Sequence, residues 1–133
     1  MKLTMITNAC CLYESNGFRL LTDPWLTEGA FEGAWFHWPP LRTTPEDVRD
    51  VDAMYISHLH PDHDDPKTLR VFRRDLPIVV LDRHPNYLSR FLKRLGFTRI
   101  IGVSDHGSWS LGPFHGSMYA PFTTHPFDES KIG

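Results

Sequence analysis

The chain has 133 residues, of which 41% are hydrophobic and 23% charged, and its formal net charge is -2 at pH 7. These proportions are typical of a folded globular protein, and the length suits a single domain spanning residues 1–133. The near balance of charge argues against a nucleic-acid partner, because nucleic-acid-binding domains are usually markedly basic. No apolar run approaches the roughly 18 residues that a membrane span requires.

The two cysteines, Cys10 and Cys11, are adjacent in the chain. Adjacent cysteines rarely form a disulfide, so we expect two free thiols and a reducing, cytoplasmic setting. The first twelve residues, MKLTMITNACCL, contain one Lys and are interrupted by Thr and Asn, so a signal peptide is not expected. Histidine is frequent, with eight residues, and this excess directs attention to metal or acid–base chemistry.

The N-terminal third of the chain is predicted as sheet. Residues 2–15 mix β-branched and apolar side chains, and the pair Asn16-Gly17 follows them. An Asn-Gly pair between two apolar runs predicts a hairpin, because both residues tolerate positive φ. The returning strand is predicted over 18–23, where an Asp-Pro pair ends it, since proline cannot donate to a ladder. This part of the chain is therefore predicted as a β-meander.

Residues 25–45 form a loop rich in aromatic residues, glycine and proline, a composition that argues against a regular element. Two interpretations of the aromatic side chains stay open. They pack against the core of the domain, or they line a substrate cleft. The residues concerned are Trp25, Phe31, Trp35, Phe36 and Trp38.

Strands and helices alternate in the middle of the chain. Buried strands are predicted over 51–57, 76–81 and 99–103, from short runs of apolar and β-branched residues. Helices are predicted over 65–74, where an Asp-Pro pair provides the N-cap and the first turn, and over 85–95, where leucine and phenylalanine recur at helical spacing. Alternation of this kind predicts βαβα units with a parallel sheet.

Glycine and proline mark the ends of the remaining predicted elements. Gly96 ends the second helix as a C-terminal cap. Two more short strands are predicted within 108–122, broken by Gly112-Pro113 and Gly116. Together with the N-terminal meander, these elements predict an α/β (α+β) fold.

Four potential metal ligands, His58, His60, Asp62 and His63, directly follow the first of the predicted buried strands. Polar residues at a strand end lie at the rim of a sheet, where α/β folds place their sites. His58 and His60 are two residues apart and point the same way in an extended segment, whereas Pro61 turns the chain before the other two. Imidazole and carboxylate suit Zn²⁺, Fe or Mn²⁺. The alternative, a polar loop whose histidines only form hydrogen bonds, is disfavoured by three histidines and one aspartate in this spacing.

The segment HLHPDH, residues 58–63, matches the HxHxDH signature and so resembles the metallo-β-lactamase fold superfamily. LLTDPWL, residues 20–26, resembles the strand that precedes the signature, and DDPKTLR, residues 64–70, resembles the helix start that follows it. TNACCLYES, DPWL and WFHWPP look most like the metallo-β-lactamase-like domain of CMP-N-acetylneuraminate monooxygenase, with similarity also to the phospholipase-D-type and ascorbate-phosphate lactonase branches. The resemblance implies the N-terminal half of a four-layer αββα fold.

The resemblance also implies ligands beyond the signature. The family supplies a third histidine to the first metal from a later loop, and the candidate is His125, with His106 and His115 as rivals. The family's second half brings a carboxylate that bridges two metals and a last histidine, and Asp128 and Glu129 are too close in sequence to His125 for that part. The chain is therefore expected to be incomplete at its C-terminus. We expect the rest of a longer protein, a partner chain or a homo-oligomer to complete it.

The resemblance implies that the chain is part of a metal-dependent hydrolase acting on a small molecule. His58, His60 and His125 would hold one ion, and Asp62 and His63 a second, the metal being one or two Zn²⁺ ions with Fe or Mn as alternatives. A metal-bound hydroxide would then attack an ester, lactone, amide or phosphodiester. Asp62 is the expected catalytic residue, which ligates the metal, orients the water and accepts a proton.

Three questions stay open at this point. Asp23 either holds a ligand imidazole in place or only forms the turn before Pro24. The same scaffold with iron can serve a di-iron oxygenase rather than a hydrolase. A non-catalytic half-domain that assembles with a partner chain is the third class.

Overall fold

The computed structural model of this chain describes residues 1–120. His125, Asp128 and Glu129 lie outside the described residues, as does the end of the segment predicted as strands over 108–122. The elements are, in chain order, β1 (Lys2–Thr7), β2 (Cys10–Ser15), β3 (Phe18–Thr22), a 3₁₀ helix (Pro45–Val48), β4 (Ala53–Ile56), α1 (Pro66–Leu69), β5 (Ile78–Leu81), α2 (Tyr87–Arg94), β6 (Ile100–Val103), β7 (Ser108–Leu111) and β8 (Phe114–Ser117).

One six-stranded sheet organises the fold, with strands β1 to β6 lying side by side in chain order. The first three strands pair antiparallel, and β3 to β6 pair parallel. This arrangement confirms the predicted β-meander followed by βαβα units, and the chain has an α/β fold. β7 and β8 form a separate antiparallel pair. None of the helices within residues 1–120 has the length and apolar character needed to cross a membrane.

The hairpin predicted at Asn16-Gly17 joins β2 to β3. Both residues have positive φ, 49° and 75°, and the flanking Ser15 and Phe18 are paired. The region predicted as sheet over 2–15 consists of two strands rather than one run. A second tight turn divides it at Asn8, whose φ is 46°.

The core lies on both faces of the sheet because side chains alternate along each strand. On β5, Ile78 and Val80 join the cluster that α1 and α2 cover, whereas Val79 joins the cluster beneath the β7–β8 pair. Near-continuous apolar runs are typical of parallel strands covered on both sides. The other members of the larger cluster include Leu21, Met54, Ile56, Leu69, Phe72 and Leu92.

Helix α1 begins as predicted, but it ends early. Asp65 is its N-cap and Pro66 its first residue, yet the helix stops at Leu69 rather than at Arg74. The guanidinium of Arg74 donates to the carbonyl oxygens of Leu69 and Arg70, at 3.2 Å each. These carbonyls are the acceptors that a further helical turn would use, so the side chain takes the place of backbone N–H groups.

Two of the glycines predicted to end elements differ in the structure: Gly96 follows a helix, whereas Gly116 lies inside a strand. Gly96 has a φ of 94° immediately after α2 and its C-cap, as predicted for a C-terminal cap. Gly116 does not break a strand, since it lies within β8. A Cβ at this position would lie 2.5 Å from the Trp109 ring, so the glycine is needed for close packing across the strand pair. The turn at Gly112-Pro113 separates β7 from β8 as predicted.

Parallel pairing of β3 with β4 brings the ends of these strands to one edge of the sheet. Thr22 pairs with Tyr55, and the N–H of Asp23 donates to the Tyr55 carbonyl at 2.9 Å. The β1–β2 turn reaches the same edge because Cys11, at the start of β2, pairs with Thr22. Three separate segments of the chain therefore meet at this edge.

Candidate functional site

The candidate site is built on the segment that follows β4. The strand ends at Ile56, and the next seven residues, Ser57 to His63, cross the edge of the sheet as a series of turns. Short backbone hydrogen bonds fold this segment back on itself, since the N–H groups of His63 and Asp64 both donate to the His60 carbonyl. The side chains of His58, His60, Asp62 and His63 are thereby gathered in one place.

The imidazole of His58 lies against those of both His60 and His63. The ring centroid of His58 lies 4.5 Å from that of His60 and 4.1 Å from that of His63. His58 Nε2 and His60 Nδ1 are 2.8 Å apart, which is hydrogen-bond distance. His58 Nδ1 lies 2.9 Å from the hydroxyl of Ser57. The three imidazole rings therefore lie side by side at the sheet edge.

His63 is held between two carboxylates. Its Nδ1 lies 3.3 Å from Asp23 Oδ2 and its Nε2 lies 3.3 Å from Asp62 Oδ2. Asp23 is buried and is itself fixed, because its Oδ1 accepts hydrogen bonds from the backbone N–H and the hydroxyl of Ser57 at 2.7 and 3.0 Å. Asp23 also has the positive φ, 38°, of a turn residue. Asp23 thus contacts the His63 imidazole and also has the backbone conformation of a turn residue before Pro24.

Asp62 is 5% exposed, although it lies in a polar segment. Its Oδ2 accepts a hydrogen bond from Asn8 Nδ2 at 3.0 Å and also faces His63. Its Oδ1 is buried and has no hydrogen-bond partner among the described residues. A buried carboxylate oxygen without a partner is costly, so this atom is available to a ligand that satisfies it.

The surroundings favour the neutral form of the His58 imidazole, and a second buried carboxyl group, that of Asp64, lies nearby in the chain. Partial burial, followed by the neighbouring imidazoles of His63 and His60, lowers the pKa of His58. A neutral imidazole retains the lone pair that ligates a metal. Burial raises the pKa of Asp64 to about 7, with Asp65 and Asp23 adding to it. Asp64 Oδ2 is also buried without a partner among residues 1–120.

The donor set fits a divalent transition metal by its chemistry: three imidazoles, and a buried carboxylate with one unsatisfied oxygen. Within the described part of the chain, no three His, Cys, Asp or Glu side chains already surround a common point in metal-binding geometry. His58 and His60 instead share a hydrogen bond at 2.8 Å.

Two of the candidates for a further histidine ligand, His106 and His115, lie in the β7–β8 region. His125 is outside the described residues. His115 is exposed on β8, with its Nδ1 2.8 Å from the hydroxyl of Ser110. His106 is exposed in a turn, beside Asp105 and the ring of Tyr119. The described contacts of these two histidines are thus with the β7–β8 region rather than with the cluster.

The aromatic residues of the loop do not all have the same surroundings: one packs in the core, one lies beside the site, and others are exposed. Trp25 is 4% exposed and stacks on buried His37 with a ring separation of 3.9 Å, so it packs in the interior. Phe31 lies beside the site, with its ring centroid 6.1 Å from that of His60 and 5.0 Å from that of Trp35. Trp35, Phe36 and Trp38 are exposed. The apolar rings nearest the imidazoles therefore belong to a short turn at Phe31, whose φ is 52°.

Sequence analysis missed two residues of this site, Asn8 and Ser57. Ser57 directly precedes the histidine cluster, and its place at a strand end was a usable signal. Asn8 is separated from Asp62 by 54 positions, so no local pattern connects the two. The one available signal was an asparagine between two apolar runs, which is typical of a turn.

A family model and related proteins both match most of this chain. A model of the beta-lactamase superfamily domain matches residues 2–111. The cytidine monophosphate-N-acetylneuraminic acid hydroxylase of Mus musculus is 34% identical over 115 residues, which cover 82% of this chain and 20% of that protein. The chain spans about a fifth of the length of the curated relatives it matches.

Two solved structures share this fold. An isothiocyanate hydrolase from Delia radicum gut bacteria superimposes with a TM-score of 0.64 and 28% identity, over 84% of this chain and 44% of that one. CmlA, a diiron β-hydroxylase from Streptomyces venezuelae, gives a TM-score of 0.62 and 25% identity, over 83% and 22%. The similar structures therefore include a hydrolase and a diiron hydroxylase, each longer than this chain.

Proposed function

We propose a metal-dependent hydrolase function, on the premise that this chain belongs to the beta-lactamase superfamily. The observation that carries the proposal is the imidazole cluster beside a buried carboxylate with an unsatisfied oxygen. A bound divalent ion would supply a Lewis acid, which lowers the pKa of water and stabilises an oxyanion. The substrate class is an ester, lactone, amide or phosphodiester.

The residues of the cluster have distinct roles in this proposal. His58 and His60 hold one ion, with His125 as the third ligand. Asp62 would be the catalytic residue: its Oδ1, which has no partner among the described residues, would accept a proton from the attacking water. His63 is the ligand of a second ion, and Asp23 holds its ring through Nδ1. Zn²⁺ is the proposed metal, with Fe or Mn as alternatives.

We further propose that Phe31 forms one wall of the substrate site. Its ring lies against the His60 ring, and Trp35 extends the apolar surface away from the imidazoles. An apolar wall beside polar groups is the usual composition of a small-molecule site. The bound part of the substrate nearest His60 is then apolar or aromatic.

Metal content tests the first part of the proposal. The protein is purified without added metal, and its metals are measured by mass spectrometry. We expect stoichiometric metal in the unmodified chain and none in the His58→Ala/His60→Ala variant. The matched control is His84→Ala, which removes an exposed histidine outside the cluster. Equal metal content in the cluster variant and the control would refute the assignment.

Activity tests the second part. The chain is assayed with Zn²⁺, Mn²⁺ and Fe²⁺ against a panel of esters, lactones and phosphodiesters, beside Asp62→Ala. The chain spans 44% of the isothiocyanate hydrolase structure, and we propose that residues beyond it complete the site. We therefore expect weak or no turnover by residues 1–133 alone, and Asp62-dependent turnover by any longer protein that contains them. Robust turnover by the 133-residue chain that Asp62→Ala abolishes would contradict the need for further residues.

A di-iron oxygenase is the second candidate, because a hydroxylase and a diiron hydroxylase are among the relatives. The metal distinguishes the two. Zinc in the purified protein favours hydrolysis, whereas iron with visible absorbance favours oxygen chemistry. Metal-free protein without activity would instead favour a non-catalytic domain that assembles with a partner chain.

A further inference from the structure

We propose that Asn8 is a positioning residue for Asp62, an inference that rests on the proposed metal-dependent function. Asn8 lies in the turn between β1 and β2, which sequence analysis did not connect with the histidine cluster. Strand pairing brings it there, because β2 pairs antiparallel with β3 and β3 pairs parallel with β4. The β1–β2 turn therefore lies close enough to the segment that follows β4 for the Asn8 side chain to contact Asp62.

The geometry assigns the two Asp62 oxygens to different partners. Asn8 Nδ2 donates to Oδ2 at 3.0 Å, and His63 Nε2 lies 3.3 Å from the same oxygen. Oδ1 has no partner among the described residues and is buried. A donated hydrogen bond to a carboxylate is stronger than one between neutral groups. Asn8 therefore fixes the rotation of the carboxylate and leaves Oδ1 as the oxygen available to a metal or a water.

Asn8 also meets a local backbone requirement of its turn, and this requirement is distinct from its contact with Asp62. The φ of Asn8 is 46°, a left-handed conformation that asparagine and glycine adopt more readily than other residues. Asn16, in the β2–β3 turn, has a nearly identical φ of 49°, and its side chain is exposed. The two asparagines thus share the backbone requirement, but only Asn8 contacts Asp62.

The two asparagines, Asn8 and Asn16, allow a matched experiment. Asn8→Gly removes the side-chain amide and suits the positive φ, and Asn16→Gly makes the same change away from the site. Zn²⁺ affinity of the 133-residue chain is measured by competition with a chromophoric chelator. We expect roughly 10- to 100-fold weaker Zn²⁺ binding for Asn8→Gly and no change for Asn16→Gly.

A double-mutant cycle tests whether Asn8 acts through Asp62. Asn8→Gly is expected to weaken Zn²⁺ binding in the unmodified chain but to have no added effect in the Asp62→Ala background. The same four proteins are unfolded with urea in the absence of metal, where the hydrogen bond predicts non-additive midpoints. Equal Zn²⁺ affinity in Asn8→Gly and Asn16→Gly, with binding by the unmodified chain intact, would overturn the positioning role alone.

Failure of the proposed function gives a different result. If the unmodified chain binds no Zn²⁺ in the competition assay, the metal function is refuted, and with it any metal-related role of Asn8. The metal-free urea cycle then reports on the contact by itself. Additive midpoints would also refute the Asn8–Asp62 hydrogen bond, whereas non-additive midpoints would leave it as a structural bond only.

Discussion

Asp65 combines the roles of helix cap and of link between two segments. Its carboxylate accepts from the backbone N–H groups of Lys67 and Thr68, and also from the hydroxyls of Thr68 and Thr27, the last two at 2.6 Å. The Thr68 hydroxyl oxygen in turn accepts from the N–H of Leu26. One side chain therefore fixes the start of α1 and ties it to the segment that follows β3.

Replacement of Asp65 should cost more than the loss of an ordinary cap. Asp65→Ala is expected to lower the free energy of unfolding by about 2–4 kcal/mol, because buried hydroxyl groups lose their acceptor together with the helix N-terminus. Asn86→Ala, which removes the cap of α2, is the comparison, with an expected loss of about 1 kcal/mol. Urea denaturation measures both, and equal losses would show that the link to Thr27 contributes nothing.

The two cysteines are expected to differ in reactivity. Cys10 is fully buried, whereas Cys11 is partly exposed. Burial, with a smaller effect of Cys11, raises the pKa of Cys10 to about 12, and a raised thiol pKa means less of the reactive thiolate at any lower pH. In a Cys11→Ser variant, iodoacetamide should leave Cys10 unmodified at pH 8–9 and alkylate it in urea. Rapid alkylation without urea, detected by mass spectrometry, would contradict this.

At the scale of elements, Arg74 determines where α1 ends and how it joins the next unit. Besides its hydrogen bonds to the α1 carbonyls, its guanidinium carbon lies 4.9 Å from the centre of the Phe97 ring. The Arg74 carbonyl accepts from the N–H of Thr98 at 2.9 Å, just before β6. The segment between α1 and β5 is therefore held against the segment between α2 and β6.

Arg74→Ala should lower the free energy of unfolding by about 1–3 kcal/mol, because two carbonyls lose a charged donor and Phe97 loses a packed cation. Arg74→Lys should recover only part of this loss, since lysine lacks the planar guanidinium that reaches two carbonyls. Arg70→Ala, at an exposed neighbouring position, is the control, with an expected change within about 0.5 kcal/mol. Thermal and urea denaturation check the order of the three variants.

The order and type of the elements could be predicted from the sequence because they depend on local signals. Asn16-Gly17 predicted its hairpin from the φ preferences of two residues, and Asp65-Pro66 predicted the start of α1. The end of α1 could not be predicted in this way. It depends on the Arg74 side chain returning to the helix, and the pattern of apolar residues continued past Leu69.

In the candidate site as well, the local sequence predicted only the residues that are neighbours in the chain. The cluster of histidines with Asp62 was visible because its members are neighbours in sequence. The contact of Asp23 with Ser57, across 34 positions, required the parallel register of β3 and β4 to be known. Asn8 required the register of β1 and β2 as well, and only the assembled sheet supplies it.

At the scale of the whole molecule, one edge of the six-stranded sheet carries exposed apolar side chains. β1 is the first strand of the sheet, and its Leu3 and Met5 side chains are 54% and 72% exposed. An apolar edge strand offers unpaired backbone groups to another chain. We propose that the 133-residue chain associates through this edge as a homo-oligomer or with a partner chain.

Sedimentation velocity tests the proposed association. We expect a dimer or larger species at micromolar concentration, and dissociation in Leu3→Lys/Met5→Lys, because charge on an edge strand opposes pairing. Ser108→Lys/Ser117→Lys, which adds the same charge at exposed positions of β7 and β8, should leave the association unchanged. A monomer at all concentrations in the unmodified chain would refute the proposal.

The spacing of the site contacts along the chain also has a consequence for refolding. The imidazoles of residues 58–63 are neighbours in sequence, whereas the Asn8–Asp62 and Asp23–Ser57 contacts close loops across 54 and 34 positions. Long loops close late, because their entropy is lost before the contact stabilises the chain. An incompletely folded chain therefore presents histidines that are close together but not yet oriented, and a metal ion added at this stage can fix them in a non-native arrangement. Recovery of the native protein should be best when a chelator is present until the sheet has formed and the metal is added afterwards.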